Sequence, residues 1–165
     1  MDDSTGLESC CPEFNPSLWD NGNVWDKKPF IKDSVTQSFH IPLPFSFKRA
    51  VMRMWQKVQE SDASPEMDDF LLLAYDPSPW KSELYLYVTK GVPDAENVTM
   101  SGTFLSRVFD GPYKSVPEWI ETMEKYVSEK GMTVRKHYFH FAYCPKCAKK
   151  YGHNYAVAFT EVEEK

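Results

Sequence analysis

No apolar run in the 165-residue sequence approaches the roughly 18–20 residues that span a bilayer. The chain opens on Met1-Asp2-Asp3-Ser4, acidic and polar, with no basic segment leading into an apolar stretch. That start argues against a secretory signal. The two absences lead to the expectation of a soluble, cytoplasmic protein with no membrane partner. A Lys/Arg-rich stripe is also missing, and 19 basic against 24 acidic residues leave a formal net charge of −5. A surface that tracks nucleic-acid phosphates needs the opposite balance, so no nucleic-acid partner is expected. There is no G-x-G-x-x-G and no Walker loop to cradle a nucleotide. Ser–His–Asp nucleophile patterns are absent as well.

What remains is a ring-rich chain. Hydrophobic residues make up 42% and aromatic residues 15%. A chain of this length buries roughly 70% of the surface its unfolded form exposes, so it needs no staples. It suits one domain or two small fused halves. The excess of rings serves either a core or a ring-lined pocket.

Residues 1–33 show no clear period and are dominated by turn formers such as Asn15-Pro16 and Asn21-Gly22-Asn23. They read as an N-terminal arm, either loose or folded as a lid through Trp19, Trp25 and Phe30. From residue 34 the order is regular. A strand over 34–44 precedes a helix over 46–60, with Phe47, Val51, Met54, Trp55 and Val58 on one face. Phe70 to Tyr75 reads as a buried strand and Ser82 to Thr89 as an alternating one. After a hinge near Gly91 and Pro93 the order recurs. A strand over 98–109 is followed by a helix over 115–130, capped by Gly131, and by strands over 137–143 and 155–162. The expected class is α+β: two strand–helix–strand–strand units, about 34–90 and 98–162, within a single domain over 34–165.

The recurrence has a register. Pro44-Phe45 and Pro112-Tyr113 each precede a helix, and Tyr75-Asp76-Pro77 and Tyr143-Cys144-Pro145 each end the next strand, all at an offset of 68 residues. Several matches at one offset point to an internal duplication. The same offset carries Leu71, Leu73 and Tyr75 onto Phe139, Phe141 and Tyr143, the set assigned to the helix side. Side chains alternate between strand faces. Phe70, Leu72, Ala74, Tyr138, His140 and Ala142 are therefore assigned to the opposite face, joined by Glu83, Tyr85 and Tyr87. In the last strand Tyr155, Val157 and Phe159 read as core, while Ala156, Ala158 and Thr160 leave room. With both helices on one side, the other face is either a solvated sheet surface, a surface under the arm, or a ligand cleft between the copies. Apolar walls with a few orienting polar groups favour the cleft.

The chain resembles the GyrI-like small-molecule-binding family. The matching residues are Val108-Phe109-Asp110-Gly111-Pro112-Tyr113, the helix ending in Met123-Glu124-Lys125-Tyr126-Val127-Ser128-Glu129-Lys130-Gly131, and the strand and turn from His137 to Pro145. The likeness is strongest over 98–162 and architectural over 34–90. It implies two such units about a pseudo-two-fold axis with a cleft between them. Its members include multidrug-binding domains of transcription regulators, stand-alone binders of drugs or toxins, and hydrolases that open cyclopropane rings. No helix-turn-helix pattern precedes the domain, which disfavours the regulator form. Many members carry a cleft glutamate on the middle strand of the second unit; here that strand reads Tyr138-Phe139-His140, and Glu83 is the carboxylate available in its place.

Hydrolytic opening of a strained electrophile needs a base to activate water and an acid for the developing oxyanion. Glu83 or His140 suits the base. Tyr138, Tyr85, Tyr87 or Tyr113 suits the donor, and Phe70, Leu72 and Trp25 would line the ligand. Binding alone needs neither acid nor base, and Glu83 would then pair with a cation over aromatic walls. The expected partner is a hydrophobic aromatic small molecule, handled by a monomer or a homodimer. Cys144-Pro145-Lys146-Cys147 with His153 has the C-x₂-C spacing of a zinc site, with Cys10 or Cys11 as a further ligand. A thiol pair and a plain surface turn fit the same residues. No other cofactor is expected.

Overall fold

The computed structural model describes Trp19 and residues 22–38, 41–42, 44–66, 69–78, 80–141, 149 and 151–164. Four cysteines (Cys10, Cys11, Cys144 and Cys147) and Phe39, Ala142 and Tyr143 lie outside the described residues. The elements in chain order are β1 (Gly22–Ser38), β2 (Ile41–Pro42), α1 (Pro44–Glu60), β3 (Leu72–Ser78), β4 (Lys81–Tyr87), β5 (Glu96–Asp110), α2 (Val116–Glu129), β6 (Met132–Phe141) and β7 (Tyr155–Glu164). The fold is α+β with antiparallel strands and two long helices, as the sequence order predicts. The chain divides into two compact units, Trp25–Ser101 and Gly102–Lys165, the latter with Met1–Val24.

In the first unit the strands lie in the order β2-β1-β4-β3, and in the second β6-β7-β5. Each unit thus runs strand, helix, strand, strand, with its last strand placed between the other two. The pairings repeat in detail. Phe30↔Tyr87 through Val35↔Ser82 in the first unit correspond, by one common shift, to Phe104↔Glu161 through Phe109↔Ala156 in the second. The two units thus share a hydrogen-bonded register, at a shift of 74 residues in these strands rather than the 68 read from sequence.

Each unit has its core between one helix and one face of its strands. Ala50, Met54 and Val58 of α1 pack on Ile31, Val35, Leu84, Leu86 and Val88. Trp119, Met123 and Val127 of α2 pack on Leu105, Phe139, Ala156, Ala158 and Val162. These helix positions follow the 3.6-residue period, three or four apart on one stripe. Pro117 sits in the first turn of α2, where its missing N–H costs nothing. The helix ends where Gly131 adopts φ +75, a left-handed conformation open to glycine without penalty.

Three sequence expectations are corrected. The first strand starts at Gly22 rather than residue 34, so Trp25 and Phe30 belong to β1 and not to a lid. The faces of β3 are reversed. Phe70, Leu72 and Ala74 pack against the α1 cluster, and Phe70 meets Trp55 edge-on at 5.9 Å. Leu73 and Tyr75 pair with Tyr85 and Glu83 and share their face. The reason is a slip of one residue in the repeat: Ala50, Met54 and Val58 match Trp119, Met123 and Val127, one position beyond the 68-residue offset. On a strand, one residue exchanges the two faces. In β7 Val157 and Phe159 are buried as expected, but on the face away from the helix. Ala156, Ala158 and Thr160 are buried, with the two alanines beneath Trp119 and Met123. Tyr155, Val157 and Phe159 occupy the far face, opposite Asp110, Val108 and Ser106. Small side chains on the middle strand make room for large ones on the helix.

That packing is testable. Ala158→Leu places extra methylenes against Trp119 and Met123 and is expected to destabilise the protein by about 1–3 kcal/mol in urea unfolding. An unchanged midpoint would mean that Ala158 faces open space.

Candidate functional site

The far face of the first unit is built by alternation along β1, β3 and β4. Phe30, Lys32 and Ser34 pair with Tyr87, Tyr85 and Glu83 in turn, and Leu73 and Tyr75 join them from β3. Phe30, Leu73 and Tyr85 are buried, so this is not a solvated sheet surface. Trp25 approaches Phe30 at 5.9 Å and Phe30 meets Tyr87 edge-on at 6.0 Å. Of the residues singled out from sequence, Glu83, Tyr85, Tyr87 and Trp25 fall in this cluster, while Phe70 and Leu72 lie on the helix side with α1.

Two lysines complete the cluster, and sequence reasoning missed both. The Lys32 ammonium lies 2.9 Å from Glu83 Oε2 and 3.8 Å from Glu96. The Tyr85 hydroxyl donates to Glu83 Oε1 at 3.1 Å. Both carboxylate oxygens are therefore engaged, on a side chain only 14% exposed. Burial by itself would raise the Glu83 carboxyl. The Lys32 ammonium and the Tyr85 hydroxyl outweigh it and hold the group below the usual carboxylate range. Lys32 moves the other way, raised chiefly by its hydrogen bond to Glu83. Lys28 sits 4.0 Å above the Tyr87 ring and 5.5 Å from Trp25, within cation–π range of both. Burial pushes its ammonium below the ordinary lysine value, partly offset by Asp69. The preceding residue, Lys27, has φ 51 and donates its backbone N–H to Ser101 Oγ at 2.8 Å. The available signal was the alternation Lys28, Phe30, Lys32 against Ile31 and Asp33.

The far face of the second unit is separate in composition. Tyr138 and His140 lie there, both buried, opposite Phe159 and Val157. Trp19 stacks on the His140 ring at 5.4 Å and 18°, and meets Phe159 edge-on at 6.0 Å. Its carbonyl accepts from Ser106 Oγ at 2.7 Å. Part of the N-terminal arm thus rests on His140. Phe104 packs beside Tyr138 at 6.2 Å. Tyr113 starts the short 3-10 turn before α2, and its side chain is outside the described residues.

His153 is drawn into a local latch. Its Nδ1 lies 2.7 Å from Asp110 Oδ2, the Asn154 N–H donates to Asp110 Oδ1 at 2.8 Å, and Tyr155 stacks on the ring at 4.8 Å. Among the described residues no group of three His, Cys, Asp or Glu side chains could hold a metal ion. Cys144 and Cys147 are not among them, so the zinc reading rests on sequence spacing alone. No helix among the described residues is long and apolar enough to cross a membrane.

A family model described as "Bacterial hydrolase" matches residues 1–162. No curated protein matches the sequence. Among solved structures, the EcmrR C-terminal domain superposes with a TM-score of 0.67 at 11% identity, covering 87% of this chain and 96% of that one. A hydrolase from Listeria innocua gives 0.63 at 13% identity, covering 91% and 94%. EcmrR in a cryo-EM complex with DNA gives 0.66 at 10% identity, and there the match covers 87% of this chain but only 57% of the longer one.

The electrostatics have a stability signature. A carboxyl whose folded-state value is depressed stabilises the fold above its unfolded value and loses that contribution as pH falls through the folded one. The wild type should therefore exceed Glu83→Gln in urea stability at pH 7, with the gap closing as pH drops below about 4. A gap independent of pH would contradict an ionised, paired Glu83.

Proposed function

We propose, for a chain that belongs to the bacterial hydrolase family and has the GyrI-like fold, that it takes a hydrophobic aromatic small molecule against the far sheet face of one unit and hydrolyses a strained ring in it, a detoxifying reaction. The observation that carries this reading is the cluster of Trp25, Phe30, Tyr85 and Tyr87 around a carboxylate and two ammonium groups. Apolar walls with few, fixed polar groups are the composition of a small-molecule site.

In the proposed reaction a water oxygen bonds to a carbon of the strained ring. The ring carbon–carbon bond breaks and its electron pair moves onto a conjugated oxygen. One proton of the water passes to a base, and a proton reaches the new oxyanion or its carbon. The product is one water heavier. Glu83 is a weak base, because Lys32 and Tyr85 hold its proton affinity down; its suitable task is to orient water as an acceptor. His140, buried on the far face of the second unit beneath the Trp19 ring, is the alternative base. The Tyr85 proton is committed to Glu83; Tyr87, on the same face, would supply the hydroxyl for the oxyanion there.

A second reading, binding without reaction, is favoured by that same low proton affinity of Glu83. The two separate in one experiment. The protein is incubated with a panel of cyclopropane-bearing aromatic electrophiles and the small molecules are weighed by mass spectrometry. Hydrolysis predicts a product one water heavier, with turnover falling at least about 100-fold in His140→Phe or Glu83→Gln. Undiminished turnover in both variants would remove both residues from the mechanism. Saturable quenching of tryptophan fluorescence with the ligand unaltered would establish the binder.

A further inference from the structure

A carboxylate on an aromatic surface ordinarily attracts organic cations. Here it is already neutralised from within. Lys32 Nζ holds Glu83 Oε2 at 2.9 Å, and Tyr85 holds Oε1 at 3.1 Å. The ring faces are taken in the same way. Lys28 stands over Tyr87 at 4.0 Å and beside Trp25 at 5.5 Å, and Lys32 lies 5.9 Å from the Tyr85 ring. The acidic groups facing these ammonium ions are Glu83, Glu96 and Asp69, and each lies beside one of the two lysines.

From this geometry we infer that Lys28 and Lys32 are specificity-determining residues: they occupy the positions a cationic ligand would use and restrict this face to uncharged aromatic molecules bearing an oxygen acceptor. The inference rests on the reading of the face as a small-molecule site. A permanent cation would have to displace an ammonium from its carboxylate or its ring, and would then sit beside the charge it displaced. Built-in repulsion of this kind is one of the two ways a site tells ligand classes apart. A neutral molecule faces no such exchange. Its oxygen can accept from an ammonium that carries three donors, which leaves both ammonium groups where they are and sets its rings beside Trp25 and Tyr87.

The test uses the full chain and two triphenyl probes, triphenylphosphine oxide (neutral, with one oxygen acceptor) and tetraphenylphosphonium (a permanent cation), with affinities read by calorimetry. The wild type should prefer the oxide by about tenfold or more, the scale of a single adverse charge contact. Lys32→Met should gain affinity for the phosphonium by about tenfold, and Lys32→Arg should keep the wild-type preference. Adding Glu83→Gln to Lys32→Met should abolish the gain. Lys28→Met provides a second variant should Lys32→Met fail to fold, and predicts the same direction. A wild type that binds the phosphonium as tightly as the oxide overturns the inference, as do folded Lys32→Met and Lys28→Met proteins that keep the original preference. If neither the wild type nor the variants bind either probe, the small-molecule reading itself falls, and the inference with it.

Discussion

The two-residue alternation of the β-strand, locked by the pairing of β1 with β4, is the constraint on which the rest depends. That pairing sets Ile31 beside Leu86 toward α1, and in the same step sets Lys32 beside Tyr85 and Ser34 beside Glu83 on the other side. A shift of one residue in both strands would turn Lys32 and Glu83 toward the helix and Ile31 and Leu84 to the far face. The core therefore enforces the polar cluster: the apolar set that packs on Met54 and Val58 leaves the ion pair no other face. The second unit repeats the pairing with different chemistry, so that Lys32↔Tyr85 corresponds to Ser106↔Phe159. The strand pairing recurs in both units, and the Lys32–Glu83 ion pair lies in the first.

That asymmetry bears on how the chain handles a ligand. A buried carboxylate with no partner would be costly and would be relieved by protonation or by a cationic guest. Glu83 is relieved by Lys32 and Tyr85 before any ligand arrives. It enters any reaction as a fixed acceptor rather than as a proton carrier. The imidazole of His140, on the far face of the second unit, sits instead against rings. The two candidate bases thus differ in kind, one by charge pairing and one by stacking.

Much of this was legible in the sequence. The helical stripes, the element order and the duplication follow from periodicities that tertiary context did not override. The faces of β4 were also readable, because Glu83, Tyr85 and Tyr87 alternate with Leu84 and Leu86. The faces of β3 were not. Phe70 to Tyr75 is almost continuously apolar, so no alternation selects a side, and the repeat offset that had to decide was one residue short. In β7 the small residues Ala156 and Ala158 read as spare room, when their size is what Trp119 requires. The start of β1 was hidden by Asn21-Gly22-Asn23 and Pro29, residues that usually mark turns. Lys28 and Lys32 were passed over because lysine is ordinarily solvated; only the pairing with β4 reveals which face they share.

The polar cluster depends most directly on the state of one carboxyl group. Carbon-13 NMR titration of Glu83, assigned through Glu83→Gln, reads it without reference to any ligand. The midpoint should lie below that of an ordinary glutamate, about 4.3, and should rise when Lys32 is replaced by Met. A midpoint at or above the ordinary value in the wild type, or one that Lys32→Met leaves unmoved, would contradict the pairing on which the site is built.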